Sequence, residues 1–163
     1  MADHTADITR IAYQERELQL PTFDLAIAWQ LGSLAHNIAE ERSHAIAIEI
    51  RRAGKTIFLT ARNGTTPSQL DWLRRKANTC EWFGRSSYSI WLNLQLKQQT
   101  LSSRHALSDR DFAADGGAFP IAVAGTGAVG ALIISGLDQR ADHELAVEVL
   151  CHHLNRNYAD FKL

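Results

Sequence analysis

The chain has 163 residues, 45% of them hydrophobic and 21% charged, with a formal net charge of −1. Such a length fits one domain over residues 1–163 that buries about 70% of the surface exposed by its unfolded form. The balanced charge gives no extended basic stripe, which argues against nucleic acid and membrane surfaces as partners. The opening residues MADHTADITR lack the cationic and apolar regions of a secretory signal. Cys80 and Cys151 lie too far apart for a CxxC or zinc spacing. They point to a reducing, cytoplasmic setting, with a disulfide between them left open.

Thr5–Gln19 reads as a first helix with Ile8, Ile11, Ala12, Glu15 and Leu18 near one side. Residues 1–20 thus form an N-terminal helical arm, weakly apolar and packed on a neighbour, until Pro21 breaks it. Thr22 or Asp24 caps a second helix to about Arg42. Its wide apolar face carries Leu25, Ala28, Trp29, Leu31, Leu34, Ala35 and Ile38. Ala45–Arg52 alternates, with Ile46, Ile48 and Ile50 on one face and Glu49 and Arg51 on the other. Ala53-Gly54 turns the chain, and Lys55–Ala61 returns with Ile57 and Leu59 on a single face. Thr66 then caps a helix that has Pro67 at its first position and runs to about Phe83. That helix directs Leu70, Leu73, Ala77 and Cys80 inward and Arg74, Arg75 and Lys76 outward. Gly84 ends it, and Ser86 starts another from Ser87 to about Gln98. Leu101–Leu107 reads as a polar loop and Ser108–Ala114 as a short capped turn.

The stretch Gly116–Leu137, GGAFPIAVAGTGAVGALIISGL, has no charge and holds six of the ten glycines. Six Gly and a Pro make a poor membrane-spanning helix. Its literal G-x-G-x-x-G (Gly125, Gly127, Gly130) marks a dinucleotide loop only where it opens a helix, and a β-type run follows instead. The remaining reading is a hairpin: Phe119–Ala124, a Gly125-Thr126-Gly127 turn, and Ala128–Ser135. Both strands are apolar on both faces, so both faces need cover. Asp138 caps a last helix to about Asn155, with Leu145, Ala146, Val149, Leu150 and Leu154 buried. The order α-α-β-β-α-α-β-β-α predicts an α/β (α+β) domain of helices packed on one antiparallel sheet of two hairpins, with apolar surface left for other copies.

There is no G-x-S-x-G, H-E-x-x-H or P-loop. On the last helix Glu144, Glu148 and His152 recur every fourth residue, beside His143 and Asp142. That register can hold a divalent metal, or it is a solvated face. Asp142 near the helix start also complements the dipole. Arg74-Arg75-Lys76 and Arg85, with Trp72, Trp82 and Tyr88, suit phosphate, a haem propionate or single-stranded nucleic acid; otherwise they are solvated charges and core aromatics. Arg85-Ser86-Ser87 at a helix start forms an anion site from free N–H groups, hydroxyls and a cation. Gly116-Gly117-Ala118-Phe119-Pro120 permits close approach by a ligand, or a tight bend.

Three segments, DWLRRKANTCEWFGRSSY (71–88), DFAADGGAFPIAVAGTGAVGALIISGL (111–137) and DQRADHELAVEVL (138–150), together resemble the haem-degrading domain family. The resemblance is to its GlcG-like and HbpS-like group, within the uncharacterised protein family 0303 branch, and covers roughly Leu20 to Leu154. It implies a profilin-like fold, a homo-oligomer, and haem binding with slow degradation in some relatives. The positions matching the branch motifs are Trp72, Arg75, Lys76, Asn78, Arg85, Ser86, Ser87, Tyr88, Gly116, Gly117, Phe119, Pro120, Asp142 and His143. A haem reading needs an axial ligand, for which His143 leads and Tyr88 and His105 follow. It also needs cations for the propionates, Arg85 and Arg75. The competing reading is an oligomeric binding or scaffold protein for a small anion or a protein partner, without catalysis.

Overall fold

The computed structural model describes residues 4–163. Its elements are α1 (Thr5–Glu17), α2 (Leu25–Glu41), β1 (Ala47–Arg52), β2 (Lys55–Ala61), α3 (Pro67–Phe83), α4 (Ser87–Leu96), α5 (Leu101–His105), β3 (Ala118–Val123), β4 (Gly127–Ser135), α6 (Gln139–His153) and a 3₁₀ turn, Tyr158–Asp160. The uncharged stretch is the β3–β4 hairpin, and Gly127 opens a strand rather than a helix. No helix among the described residues is long and apolar enough to cross a membrane.

The two hairpins join into one antiparallel sheet in the order β2-β1-β4-β3. Alternation along β4 divides the core. Leu132 and Ile134 pack with Ile48, Ile50, Phe119 and Ile121 under α2 and α6. Ala131 and Ile133 pack with Ala47 and Ala118 under Leu73, Ala77 and Cys80 of α3. Alanines on this second face let α3 lie close to the sheet. Both faces of the inner strands are therefore covered, as their apolar composition requires. Leu20 bridges to Val123 and closes the β3 edge: its N–H donates to the Ala122 carbonyl (2.8 Å), and its carbonyl accepts from Ala124 N–H (2.9 Å).

Several local expectations change. Leu101–His105 is helical, because Thr100 and Ser103 form a reciprocal capping box that outweighs the polar composition. The α1 arm packs on its own chain, with Ile11 against Tyr88 and Leu92 of α4. Leu25 and Trp29 stay exposed on α2, and Leu70 is exposed on α3. A bulge between Ile50 and Arg51 puts Phe58 opposite Ile50, so Ile57 and Phe58 both meet the core while Leu59 remains outside. Lys76 turns inward and is buried. The two cysteines are free and buried.

Candidate ligand-binding site

Gly84 ends α3 in the left-handed conformation (φ 63°), and Ser86 caps α4 by accepting from Ser89 N–H. The Ser87 hydroxyl accepts from Ala118 N–H at 3.1 Å and pins the first residue of β3 to the start of α4. A carboxylate of the chain itself engages these groups. One oxygen of Glu15, from α1, accepts from Ser86 N–H (2.8 Å), and the other accepts from Arg85 Nε (3.2 Å).

Gly116 and Gly117 serve packing. A Cβ on Gly116 would lie 2.1 Å from the Gln139 carbonyl oxygen, and one on Gly117 (φ +131°) would lie 2.2 Å from that of Ile134. Beneath them Lys76 Nζ donates to Asp142 (2.9 Å) and to the Ile134 carbonyl (3.2 Å). Asp142 also accepts from Gly136 and Leu137 N–H. Burial pushes the Asp142 carboxyl up, against the opposing pull of the Lys76 ammonium.

His143 is wholly buried, between Tyr88 and Phe119. Gln14 Nε2 donates to the Phe161 carbonyl (2.7 Å), so its amide oxygen faces His143 Nε2 (2.8 Å), which must carry the proton. Burial lowers the imidazole pKa to about 3. Tyr88 is buried against Trp91, and burial raises its phenol. Phe119 is a core residue and Pro120 lies in β3. Asn78 accepts from Arg51 and donates to the Asp111 carbonyl. Arg75 donates to Asp71 and stacks on Trp72, 4.0 Å from the ring centroid. These motif positions hold the fold together.

The acidic register of α6 is also spoken for. Arg42 donates to both oxygens of Glu148 (2.7 and 2.8 Å), lowering its pKa. Glu144 accepts from the Tyr158 hydroxyl and from Leu163 N–H. His152 sits 3.6 Å from Glu148. Among the described residues no three metal-capable side chains converge, and Glu144 and Glu148 are engaged by Tyr158, Leu163 and Arg42 instead.

A cavity of about 220 Å³ opens between the end of α3, α4 and α5. Phe83, Ile90 and Leu94 supply its apolar walls, and its charged residues, Arg85, Lys97 and Arg104, are all cationic. His105 lines it too, its ring edge-on to Phe83 at 4.9 Å. The structure thus unites Arg85 with His105, and leaves Arg75 in an adjoining cavity of similar volume that shares Leu94 and Gln99. The Gln99 amide oxygen is buried without a hydrogen-bond partner among the described residues. Arg104 joins the cleft because Leu101–His105 is a helix rather than a polar loop, for which the T-x-x-S spacing at Thr100 is the signal, and Lys97 joins it from the C-terminal end of α4.

A four-stranded antiparallel sheet of two hairpins, flanked by helices, places the chain among small mixed α/β domains. The sequence model for "Haem degrading protein HbpS-like" matches residues 23–151, and the chain belongs to that family. It is 48% identical over 161 residues to a UPF0303 protein of Paraburkholderia phymatum, covering 99% of this chain and 98% of the relative. Among solved structures, the Ybr137w protein superposes with a TM-score of 0.84 at 27% identity, over 91% of this chain and 87% of its own. The PduOC:Heme complex shares the fold with a TM-score of 0.69 at 16% identity, over 80% of this chain and 94% of its own.

Proposed function

We propose that the chain binds an apolar ligand bearing carboxylates, of the haem class, in the cleft between α4 and α5. The observation that carries this reading is the convergence of Arg85, Lys97, Arg104 and His105 on the Phe83–Ile90–Leu94 wall, with no carboxylate in the lining. The donor set fits haem: three cations for two propionates, and an exposed imidazole for iron. The cavity, of about 220 Å³, would hold part of such a ligand. His105 is the imidazole that would hold the iron in this reading, because His143 is sealed and already bonded to Gln14. Bound iron would supply a redox centre. Membership of a family described as haem-degrading, and the fold shared with a haem complex, support this ligand and extend the reading to slow oxidative breakdown. The two unpaired cysteines agree with a reducing cytoplasm.

Titration with haemin tests the reading. One haemin per chain with a sharp Soret band is the expected result. The band should shift in His105→Ala, and affinity should fall in Arg104→Glu. A broad, unsaturable spectrum that His105→Ala leaves unchanged would overturn it. Loss of Soret absorbance with ascorbate and oxygen tests breakdown separately.

The reading includes self-assembly through β2, which among the described residues pairs only with β1. Leu59 is 55% exposed on this edge strand, and exposed Trp29 packs edge-on against Phe58. Antiparallel pairing of two copies about Phe58 sets Ile57 against Leu59 and Thr56 against Thr60, opposing no like charges. Light scattering should show an assembly that Leu59→Lys dissociates; an 18.2 kDa species at micromolar concentration before mutation would refute it.

A further inference from the structure

Asn63 and Gly64 form the exposed turn that carries the chain from β2 into α3. Its two ends are pinned. Arg62 N–H donates to the Ile46 carbonyl (3.0 Å) and Arg62 Nε to that of His44 (3.0 Å). Thr65 donates to the Arg62 carbonyl through its N–H (3.2 Å) and its hydroxyl (2.8 Å). Between these ends nothing holds the pair. Neither the Asn63 carboxamide nor the Gly64 N–H makes a hydrogen bond among the described residues. Gly64, at φ +94°, has no side chain to shield its nitrogen.

An unbonded main-chain nitrogen next to a free carboxamide is a nucleophile beside its electrophile. The Gly64 nitrogen gives its proton to solvent base and attacks Asn63 Cγ. The carboxamide C–N bond breaks, ammonia leaves, and a five-membered succinimide closes. Water then opens the ring. Addition at Cγ leaves an ordinary aspartate, whereas addition at the main-chain carbonyl routes the chain through the β-carbon and frees the α-carboxylate. Either product has taken up one water and released one ammonia, with no change of oxidation state.

Elsewhere the structure blocks the same chemistry. At Asp115-Gly116 the glycine N–H donates to Gln139 Oε1 (3.2 Å), and Gly116 is wedged against the Gln139 carbonyl and the Tyr88 ring. Asn37, Asn78 and Asn93 lie inside α2, α3 and α4, where the next N–H belongs to the helix ladder. After Asn155, Arg156 N–H donates to the Cys151 carbonyl (2.8 Å), and the Asn157 carboxamide accepts from Ala159 N–H.

We propose that Asn63 is a self-modification site, converted to a carboxylate through a succinimide with Gly64. The new charge stands before the start of α3, the end that the helix dipole makes positive, so the fold tolerates it. It lies about 25 Å from the haem-class cleft, at the other end of this 17-residue helix. The chemistry is independent of haem.

Peptide mapping by mass spectrometry of the full chain, aged at mildly alkaline pH, tests it. The peptide holding Asn63 should gain about one dalton and split into two products on chromatography. It should do so at least about tenfold faster than peptides holding any of the other five asparagines. The Asp115-Gly116 peptide, which isomerises without a mass change, should stay single in the folded chain and split after ageing in urea. Asn63→Gln, whose longer side chain disfavours ring closure, should stay unmodified at that position. It should match the wild type in circular dichroism and in haemin titration, whatever that titration shows, which separates this site from the haem reading. Survival of Asn63 in a folded chain whose urea-unfolded form deamidates there, or equally fast modification at another asparagine, would overturn the assignment.

Discussion

The starts of α4 and α6 meet the same need, a negative charge over unpaired N–H groups, with parts of different origin. At α6 the carboxylates are local: Asp138 caps, and Asp142 folds back onto Gly136 and Leu137. Asp142 is 1% exposed, and its counter-ion Lys76 is 5% exposed. At α4 the carboxylate comes from far along the chain, as Glu15 of α1, and its partner Arg85 is 40% exposed. The first arrangement is dry and structural. The second lies at the rim of the cationic cleft, where the same guanidinium faces water and ligand. Adjacent residues of α1 serve both ends, since Gln14 bonds His143 of α6 while Glu15 reaches α4.

Breaking the dry start should have the largest effect. Lys76→Ala leaves Asp142 buried without a counter-charge, which is expected to cost about 3–5 kcal/mol in urea unfolding. Replacing both partners, as Lys76→Met with Asp142→Leu, should recover a large part of that loss, because neither charge is then stranded. Equal loss in the single and double variants would mean that packing around the pair, rather than the stranded charge, sets the cost.

Acid should sharpen the contrast next. Burial holds His143 neutral in the folded chain with a pKa of about 3, against 6.5 when unfolded. Above pH 6.5 both states are neutral and the stability contribution is constant. Below it the unfolded chain takes up a proton that the folded chain refuses, so stability is lost as pH falls toward 3. The slope is about 1.4 kcal/mol per pH unit, or roughly 2 kcal/mol by pH 5. Urea midpoints at pH 7 and pH 5 measure it. His143→Leu should flatten the difference whatever its own baseline; an unchanged slope would assign the acid sensitivity to other groups.

The same contrast explains what could be read in advance. Asp138, Thr66 and Ser86 announce their helices because a cap is a local event. The hairpin from Gly116 to Leu137 is legible because two charge-free, β-rich runs flank a glycine turn. Lys76 was misplaced by its neighbours, as Arg74-Arg75-Lys76 looks like one solvated row. Yet Lys76 stands three residues after Leu73 and four before Cys80, on the buried side by helical period. Glu15 to Ser86 and Gln14 to His143 carry no signal in one sequence, because each joins residues far apart that meet only after α1 docks. The cleft was half visible: Arg85 and His105 could be named, but not their meeting across a short helix that looked like a loop.

The smallest effect belongs to the open start of α4. Glu15→Gln removes the charge from a pair whose guanidinium is 40% exposed, so its stability cost is about 1 kcal/mol once screening is allowed for. Ser86 N–H still finds an acceptor in the amide oxygen. Arg85, released from its carboxylate, then offers its full charge to the cleft that it lines with Lys97 and Arg104. Haemin affinity should therefore rise about threefold while the urea midpoint falls slightly, opposite directions that a simple loss of structure does not give. Arg85→Gln should lower both. If Glu15→Gln leaves haemin affinity unchanged and Arg85→Gln lowers only stability, then Arg85 belongs to the α1–α4 contact alone, and the cleft relies on Lys97 and Arg104.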